Sequence, residues 1–238
     1  MNEFYDEQLG RIVVKPHPRA VQFIARRKEG YIQLTVPRTA SKKEVRDVIR
    51  ELAPRLLAIK SPTSKPFVEG TRLTTFAFDV QIRKTAEVSE LSYQLKNSVL
   101  TIFIPMEHPV EDDETQERIR ITILNLLRRE ARRILPRKTA FFAERFGMSY
   151  ERVKITSSRS RWGSCSGRKN INLSYFLLFL PEPYIDYVVL HELAHTREMN
   201  HGPNFWKLLS AMCGEDAKTI SKRLKQLPLE NLSYFPSS

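Results

Sequence analysis

His191, Glu192 and His195 carry the residue types and spacing from which chemistry can be read most directly in this chain. Four residues advance a helix by about one turn, so imidazoles at 191 and 195 point the same way and can chelate one ion. Glu192 projects from a neighbouring part of the helix, near enough to hold a water on that ion rather than the ion itself. This is the H-E-x-x-H zinc arrangement, with zinc-activated water as attacking group and Glu192 as general base. His201 follows in Asn200-His201-Gly202-Pro203, a turn-like stretch that returns it over the helix as a third ligand. Glu215, further downstream, is the competing third ligand of the thermolysin kind. Three protein ligands leave one position for water, which separates a catalytic zinc from a structural one. The plainer alternative is two core histidines bonded to backbone, which leaves the glutamate and the His-Gly-Pro turn unexplained.

The elements that must position these residues follow from patterning. A helix opening at Pro181-Glu182-Pro183 is apolar on almost every side from 184 to 190, which describes a core helix. Polar groups at its end are costly to bury unless something satisfies them. Upstream, Glu111-Asp112-Asp113-Glu114 opens a long helix with an apolar stripe through Ile119, Ile123, Leu126, Leu127, Ile134 and Leu135. Pro136 is expected to kink or divide it, and Gly147 to cap its end. Residues 21–27 and 31–36 read as a hairpin, and Ser41-Lys42-Lys43-Glu44 as a capping box opening a helix that Pro54 kinks or ends. Residues 61–66 read as a loop. Alternation between 73 and 105, with a turn at Lys96-Asn97-Ser98, completes a twisted, mainly antiparallel sheet crossed by one helix. No repeat of fixed period is visible. The expected class is α+β: a β-rich lobe over 1–110 and a helical, metal-binding catalytic lobe over 111–238, or both halves on one core.

His191-Glu192-Leu193-Ala194-His195 and Asn200-His201-Gly202-Pro203-Asn204-Phe205-Trp206 together resemble the YgjP-like metallopeptidase family and, more distantly, the SprT-like zinc proteases. Arg161-Trp162-Gly163-Ser164-Cys165-Ser166, then Asn170-Ile171-Asn172-Leu173, is similar to the same family's other characteristic stretch. The resemblance implies an α+β fold with a minimal gluzincin-like active-site helix. It also implies His191, His195 and His201 as ligands of one zinc ion, with Glu192 catalytic. His201 has metzincin spacing, but Glu198 stands where those enzymes place a turn glycine and no Met-turn follows, so a metzincin fold is not expected.

Other residues admit rival readings. Gly163-Ser164-Cys165-Ser166-Gly167 fits a thiol nucleophile elbow, but a turn entering a strand follows where the elbow needs a helix, which favours a tight turn. Arg161, Asn172 and Tyr175 are the candidate substrate contacts. Arg161 is suited to orienting an anionic group or an oxyanion, or equally to stacking on Trp162. Tyr175 and Tyr184 could donate a proton, although aromatics at such positions usually pack in the core, as Phe205 and Trp206 are expected to do. If the strand near 170–176 borders the cleft, it is a candidate to receive an extended peptide by strand addition.

Composition bounds the partners. The 238 residues hold 39 Lys+Arg against 27 Asp+Glu, a net charge of +12, and 41% are hydrophobic. Half of that surplus lies in residues 152–170, where Arg152, Lys154, Arg159, Arg161, Arg168 and Lys169 meet no acid. Such a field favours an anionic partner, whether a nucleotide, a nucleic acid associating through 152–169 or an acidic peptide, or is simply a solvated loop. The apolar run 176–180 is far too short to span a membrane, and the acidic opening through Glu7 lacks the apolar stretch of a secretory leader. Two cysteines are too few for a disulfide scaffold, so a cytoplasmic location is expected. Composition leaves the oligomeric state open. Three functions compete: a zinc-dependent peptidase acting on peptide or protein; a metal-dependent nucleoside triphosphate pyrophosphatase, lacking a phosphate-cradling glycine loop; and a nucleic-acid-binding module with a structural metal.

Overall fold

Alternating apolar residues build three small sheets, and helices pack against the first and the third. A computed structural model describes residues 3–6, 9–18, 20–28, 31–58 and 64–235. The chain divides into two units, Met1–Pro66 with Tyr234–Ser238, and Phe67–Ser233.

In the first unit β1 (Glu3–Asp6), β2 (Gly10–His17), β3 (Ile24–Lys28) and β4 (Tyr31–Pro37) form one sheet in the order β1-β2-β4-β3. Ile32, Leu34 and Val36 alternate inward along β4, where α1 (Lys42–Ala58) lays Val45 and Ile49 over them. The capping box forms as expected: Glu44 N–H donates to Ser41 Oγ at 3.2 Å and Ser41 N–H to Glu44 Oε2 at 2.7 Å. Of the expected loop at 61–66, residues 61–63 lie outside those described and 64–66 are irregular.

The second unit opens with the same topology. β5 (Arg72–Thr74), β6 (Asp79–Thr85), β7 (Ser92–Lys96) and β8 (Val99–Pro105) pair in the order β5-β6-β8-β7. In both sheets a parallel central pair is flanked by antiparallel neighbours. The single sheet expected from the alternation is therefore two sheets, each mainly antiparallel. Asn97 and Ser98, at φ 50° and 58°, make the tight turn between β7 and β8.

The long helix α2 (Asp113–Arg145) starts at Asp112, whose side chain accepts from Thr115 N–H, and ends at Gly147, whose φ is +58°. Neither proline ends its helix: α1 and α2 run on through Pro54 and Pro136. The carbonyls they leave unserved belong to Arg50 and Arg132, exposed residues at which water can take the bond.

Beyond α2, β9 (Arg152–Thr156), β10 (Gly163–Cys165) and β11 (Asn170–Ser174) form a sheet in the order β10-β11-β9. Ile171 and Leu173 are buried opposite Val153 and Ile155, which leaves Lys154, Asn172 and Ser164 in one cross-strand row on the other face. A 3-10 turn (Tyr175–Phe179) leads to α3 (Glu182–Ala194), α4 (Pro203–Cys213) and α5 (Ala217–Lys225). Among the described residues no helix is long and apolar enough to cross a membrane.

The lobe boundary expected near 110 falls inside the second unit. Gln116 of α2 is the reason most easily named. Its side chain is 4% exposed, accepts from Phe67 N–H at 2.9 Å, and donates to the carbonyls of Phe67 at 2.8 Å and Val110 at 2.7 Å. Gln116→Leu keeps the volume but removes all three of these hydrogen bonds, so it should cost about 2–4 kcal/mol in urea unfolding. An unchanged midpoint would show that the bonds contribute nothing net.

Candidate metal centre

The helix α3 is buried through Ile185, Val188, Val189, Leu190 and Leu193, as its apolar composition requires. Its first turn is tied to α2 by Lys138, whose ammonium meets Glu182 at 2.6 Å and Asp186 at 2.7 Å. Burial pushes the Asp186 carboxyl up, and the Lys138 ammonium works against it. The last turn carries the polar cluster. Gly202 precedes α4, Pro203 opens it, and the turn between the helices brings His201 back over α3.

Three imidazoles converge there. Nε2 of His191 lies 3.2 Å from Nε2 of His195 and 3.1 Å from Nε2 of His201, and the three residues can hold a metal ion between them. His195 Nδ1 faces the Glu198 carbonyl at 3.1 Å, so it carries the proton and Nε2 is a bare lone pair. One proton on His191 Nε2 could serve only one of its two neighbours, and Nδ1 of His191 is buried without a partner. Ordinary hydrogen bonding therefore leaves this cluster unsatisfied, whereas a cation accepts all three lone pairs. The spacing agrees: tetrahedral zinc with bonds of about 2.0–2.1 Å has ligand–ligand edges of about 3.3 Å. Burial, then the neighbouring His195 and His201, lowers the His191 pKa to about 3, so this ring is neutral near pH 7. Burial also lowers the value for His195, with the Glu198 carbonyl opposing.

Aromatic residues hold the rings in place. Phe205, fully buried, lies against all three, with centroids at 4.9 Å from His191, 4.5 Å from His195 and 4.7 Å from His201. Trp206 Nε1–H donates to the His201 carbonyl at 3.0 Å and fixes the turn. Both residues read as core packing from sequence. The missed signal is their place four and five residues after His201, where the next helix must face back toward the cluster.

Glu192 is 5% exposed, and its Oε2 has no hydrogen-bond partner. Burial raises its carboxyl to about 8, against the opposing field of Arg161. It fits only because residue 163 is glycine. A Cβ on Gly163 would lie 2.7 Å from Glu192 Oε1 and Cγ and 2.9 Å from Cδ. The strand–turn stretch thus matters for the space it leaves, a role that sequence alone does not reveal.

The other candidates separate cleanly. Arg161 and Asn172 line a cleft of about 290 Å³ with Thr156, Ser158, Gly163 and Ser164. Tyr175 is 4% exposed, with its ring against Phe176 and the Arg128 guanidinium, and it does not line that cleft. Glu215 pairs with Arg223 and stands outside the histidine cluster. Cys165 lies on β10 in a hairpin rather than at an elbow, and burial, with the Glu192 carboxylate adding, pushes its thiol up to about 11. A thiol held protonated is a poor nucleophile. Strand addition on β11 is also closed, because β9 and β10 occupy both of its edges.

The titration of Glu192 has a stability consequence in the metal-free protein. Its folded value of about 8 lies above the ordinary 4.5, so the folded state binds the extra proton between them. Stability must then fall as pH rises through that window and level off above it. In chelator, the stability of Glu192→Gln minus that of wild type should grow by several kcal/mol between about pH 5 and 8. The histidine contributions are common to both proteins and cancel. A difference independent of pH would mean that Glu192 is not held protonated.

Comparison with known proteins bears on this arrangement. The family model described as YgjP-like, metallopeptidase domain, matches residues 21–227. No curated protein matches the chain. Among solved structures, the metallopeptidase zymogen abylysin of Pyrococcus abyssi is similar at 24% identity, over 39% of this chain and 93% of its own. Its TM-score of 0.35 is too low to transfer geometry. The family match spans most of the sequence and contains every residue of the histidine cluster together with Gly163 and Glu192, so the chain belongs to the YgjP-like metallopeptidase family.

Proposed function

We propose that the protein is a zinc-dependent peptidase in which His191, His195 and His201 hold one ion and Glu192 is the general base. The observation that carries this reading is the convergence of His195 and His201 Nε2 on His191 Nε2, at 3.2 and 3.1 Å, beside a buried carboxyl with a free oxygen. Bound zinc supplies Lewis acidity, lowering the pKa of a water molecule to about 7 and polarising a peptide carbonyl.

The protein's own groups supply the rest. The Glu198 carbonyl fixes the His195 tautomer so that its lone pair faces inward. Phe205 blocks rotation of the three rings and keeps water from one side of the cluster. Glu192 ionises more readily beside a bound dication. Its unpartnered Oε2 then takes a proton from the attacking water and passes it to the departing amine. A carboxyl poised near neutrality by burial suits both halves of that transfer. Gly163 keeps the space in which this carboxyl sits.

Two measurements test the reading. Glu192→Gln should retain near-stoichiometric zinc by elemental analysis while peptide turnover falls by about 10²–10⁴-fold, and His201→Ala should lose zinc. Full activity in the first variant, or full zinc in the second, would overturn the assignment. Gly163→Ala should separate positioning from ligation. Zinc content should hold while turnover drops by at least about tenfold, because the three atoms nearest the added methyl group all belong to Glu192. Unimpaired turnover there would show that Glu192 does not need its present position.

A further inference from the structure

The cleft beside Gly163 takes no part in the chemistry above, and its lining is unusual. Thr156, Ser158 and Ser164 offer hydroxyls, Asn172 a carboxamide and Arg161 a guanidinium, with no large apolar side chain and no acid among them. The sheet is built to present these groups. Ile171 and Leu173 of β11 turn to the core, so Asn172 stands on the opposite face between its register partners, Ser164 on β10 and Lys154 on β9. Thr156, two residues beyond Lys154, shares that face. Asn172 Nδ2 donates to Ser164 Oγ at 3.1 Å. That contact occupies an acceptor site on Ser164 and leaves its hydroxyl hydrogen for a ligand.

Charge points the same way. Residues 152–170 hold six cations and no acid, and two of them, Arg161 and Lys154, stand in the cleft lining and on the row beside it. Glu192 lies against Gly163, itself part of the lining. The cleft thus adjoins the carboxyl assigned to proton transfer. Its volume of about 290 Å³ is at the bottom of the range for small-molecule sites, about 300–1,000 Å³, and suits one side chain better than a nucleotide.

We infer that this cleft is a specificity pocket for one acidic side chain of the substrate peptide, with Arg161 as its charge partner and Ser164 as an oriented donor. The inference rests on the peptidase reading and names what that peptidase selects. A carboxylate next to the bond to be cut would meet the guanidinium and hydroxyl donors at once, whereas an isosteric amide would leave the guanidinium without its counter-charge.

The test compares peptides that differ only by Glu, Gln or Lys at each position around the cleaved bond. They are cleaved by the zinc-loaded protein, and the sites are read by mass spectrometry. At one position the ratio of kcat/KM for Glu over Gln should be about ten- to a hundredfold, as for a hydrogen-bonded charge. In Arg161→Gln that ratio should collapse toward one, and in Arg161→Glu the preference should pass to Lys at the same position. Arg161 is exposed, so neither change threatens folding. Binding of the same peptides to zinc-loaded Glu192→Gln, by fluorescence anisotropy, separates the two claims. Arg161-dependent preference for the Glu peptide without cleavage by the wild type would uphold the pocket and overturn the peptidase reading. Cleavage with equal ratios at every position would overturn the pocket alone. Arg161-dependent binding of a nucleoside triphosphate, with no discrimination among peptides, would assign the cleft to phosphates and also overturn it.

Discussion

A neutral imidazole has one N–H and one lone pair, and that limit governs the end of α3. Nε2 of His191 faces two other ring nitrogens at once, at 3.2 and 3.1 Å. One of those, on His195, is committed to a lone pair by the Glu198 carbonyl behind it. Protonating the rings does not relieve the conflict, because burial and mutual repulsion lower the His191 pKa to about 3. A helix buried through Ile185, Val188, Val189, Leu190 and Leu193 therefore ends in a cluster that its own hydrogen bonds leave incomplete. A metallopeptidase is the family in which such an arrangement makes sense, since a divalent ion resolves what protons cannot.

The surrounding elements narrow the alternatives one at a time. Lys138 spans two carboxylates one helical turn apart and sets the start of α3 against α2, so the axis on which His191 and His195 ride is held at its far end. Phe205 fills the space beneath all three rings, which denies them other rotamers. Trp206 grips the His201 carbonyl rather than the ring, leaving Nε2 to face the cluster. Glu192 is buried with Oε2 unpartnered, and its Oε1, Cγ and Cδ occupy the space that a Cβ on residue 163 would need. Such unsatisfied atoms are expensive to keep in a core, and here two occur within two adjacent residues.

Much of this was legible in the sequence. The His191–Glu192–His195 spacing, the apolar helix ahead of it and the Gly202-Pro203 opening of α4 are local patterns, and local patterns survive folding. The capping box at Ser41 and the turn at Asn97 survive for the same reason. Tertiary relations were not legible. Nothing around Gly163 announces that a carboxyl 29 positions later will occupy the space where its Cβ would stand. Tyr175 sits next to the family-like Asn172-Leu173 stretch, but the chain turns into a 3-10 segment after Ser174 and buries the ring. The two four-stranded sheets share a topology without a readable repeat, because alternation and turn placement are what they have in common, not residue identity. Neither Pro54 nor Pro136 ends its helix, because a helix tolerates proline where the abandoned carbonyl belongs to an exposed residue.

The three histidines are not equivalent, and their difference bears on how such a site can be both stable and replaceable. His195 is 9% exposed and shares a continuous helix with His191, so two nitrogens are positioned by backbone hydrogen bonds and core packing before any ion arrives. His201 is exposed and reaches the cluster from a turn held by the Gly202 N–H bond to Asn200 and the Trp206 bond to its own carbonyl. Opening that turn disturbs few buried contacts, whereas displacing either helical histidine means moving α3 from the core. In the proposed site the pair on α3 sets the geometry at little entropic cost on ligation, and the third nitrogen leaves only when the turn that carries it opens. On the proposed reading, affinity is then set mainly by burial on α3 and exchange mainly by the turn, two properties carried by separate elements of one short stretch of chain.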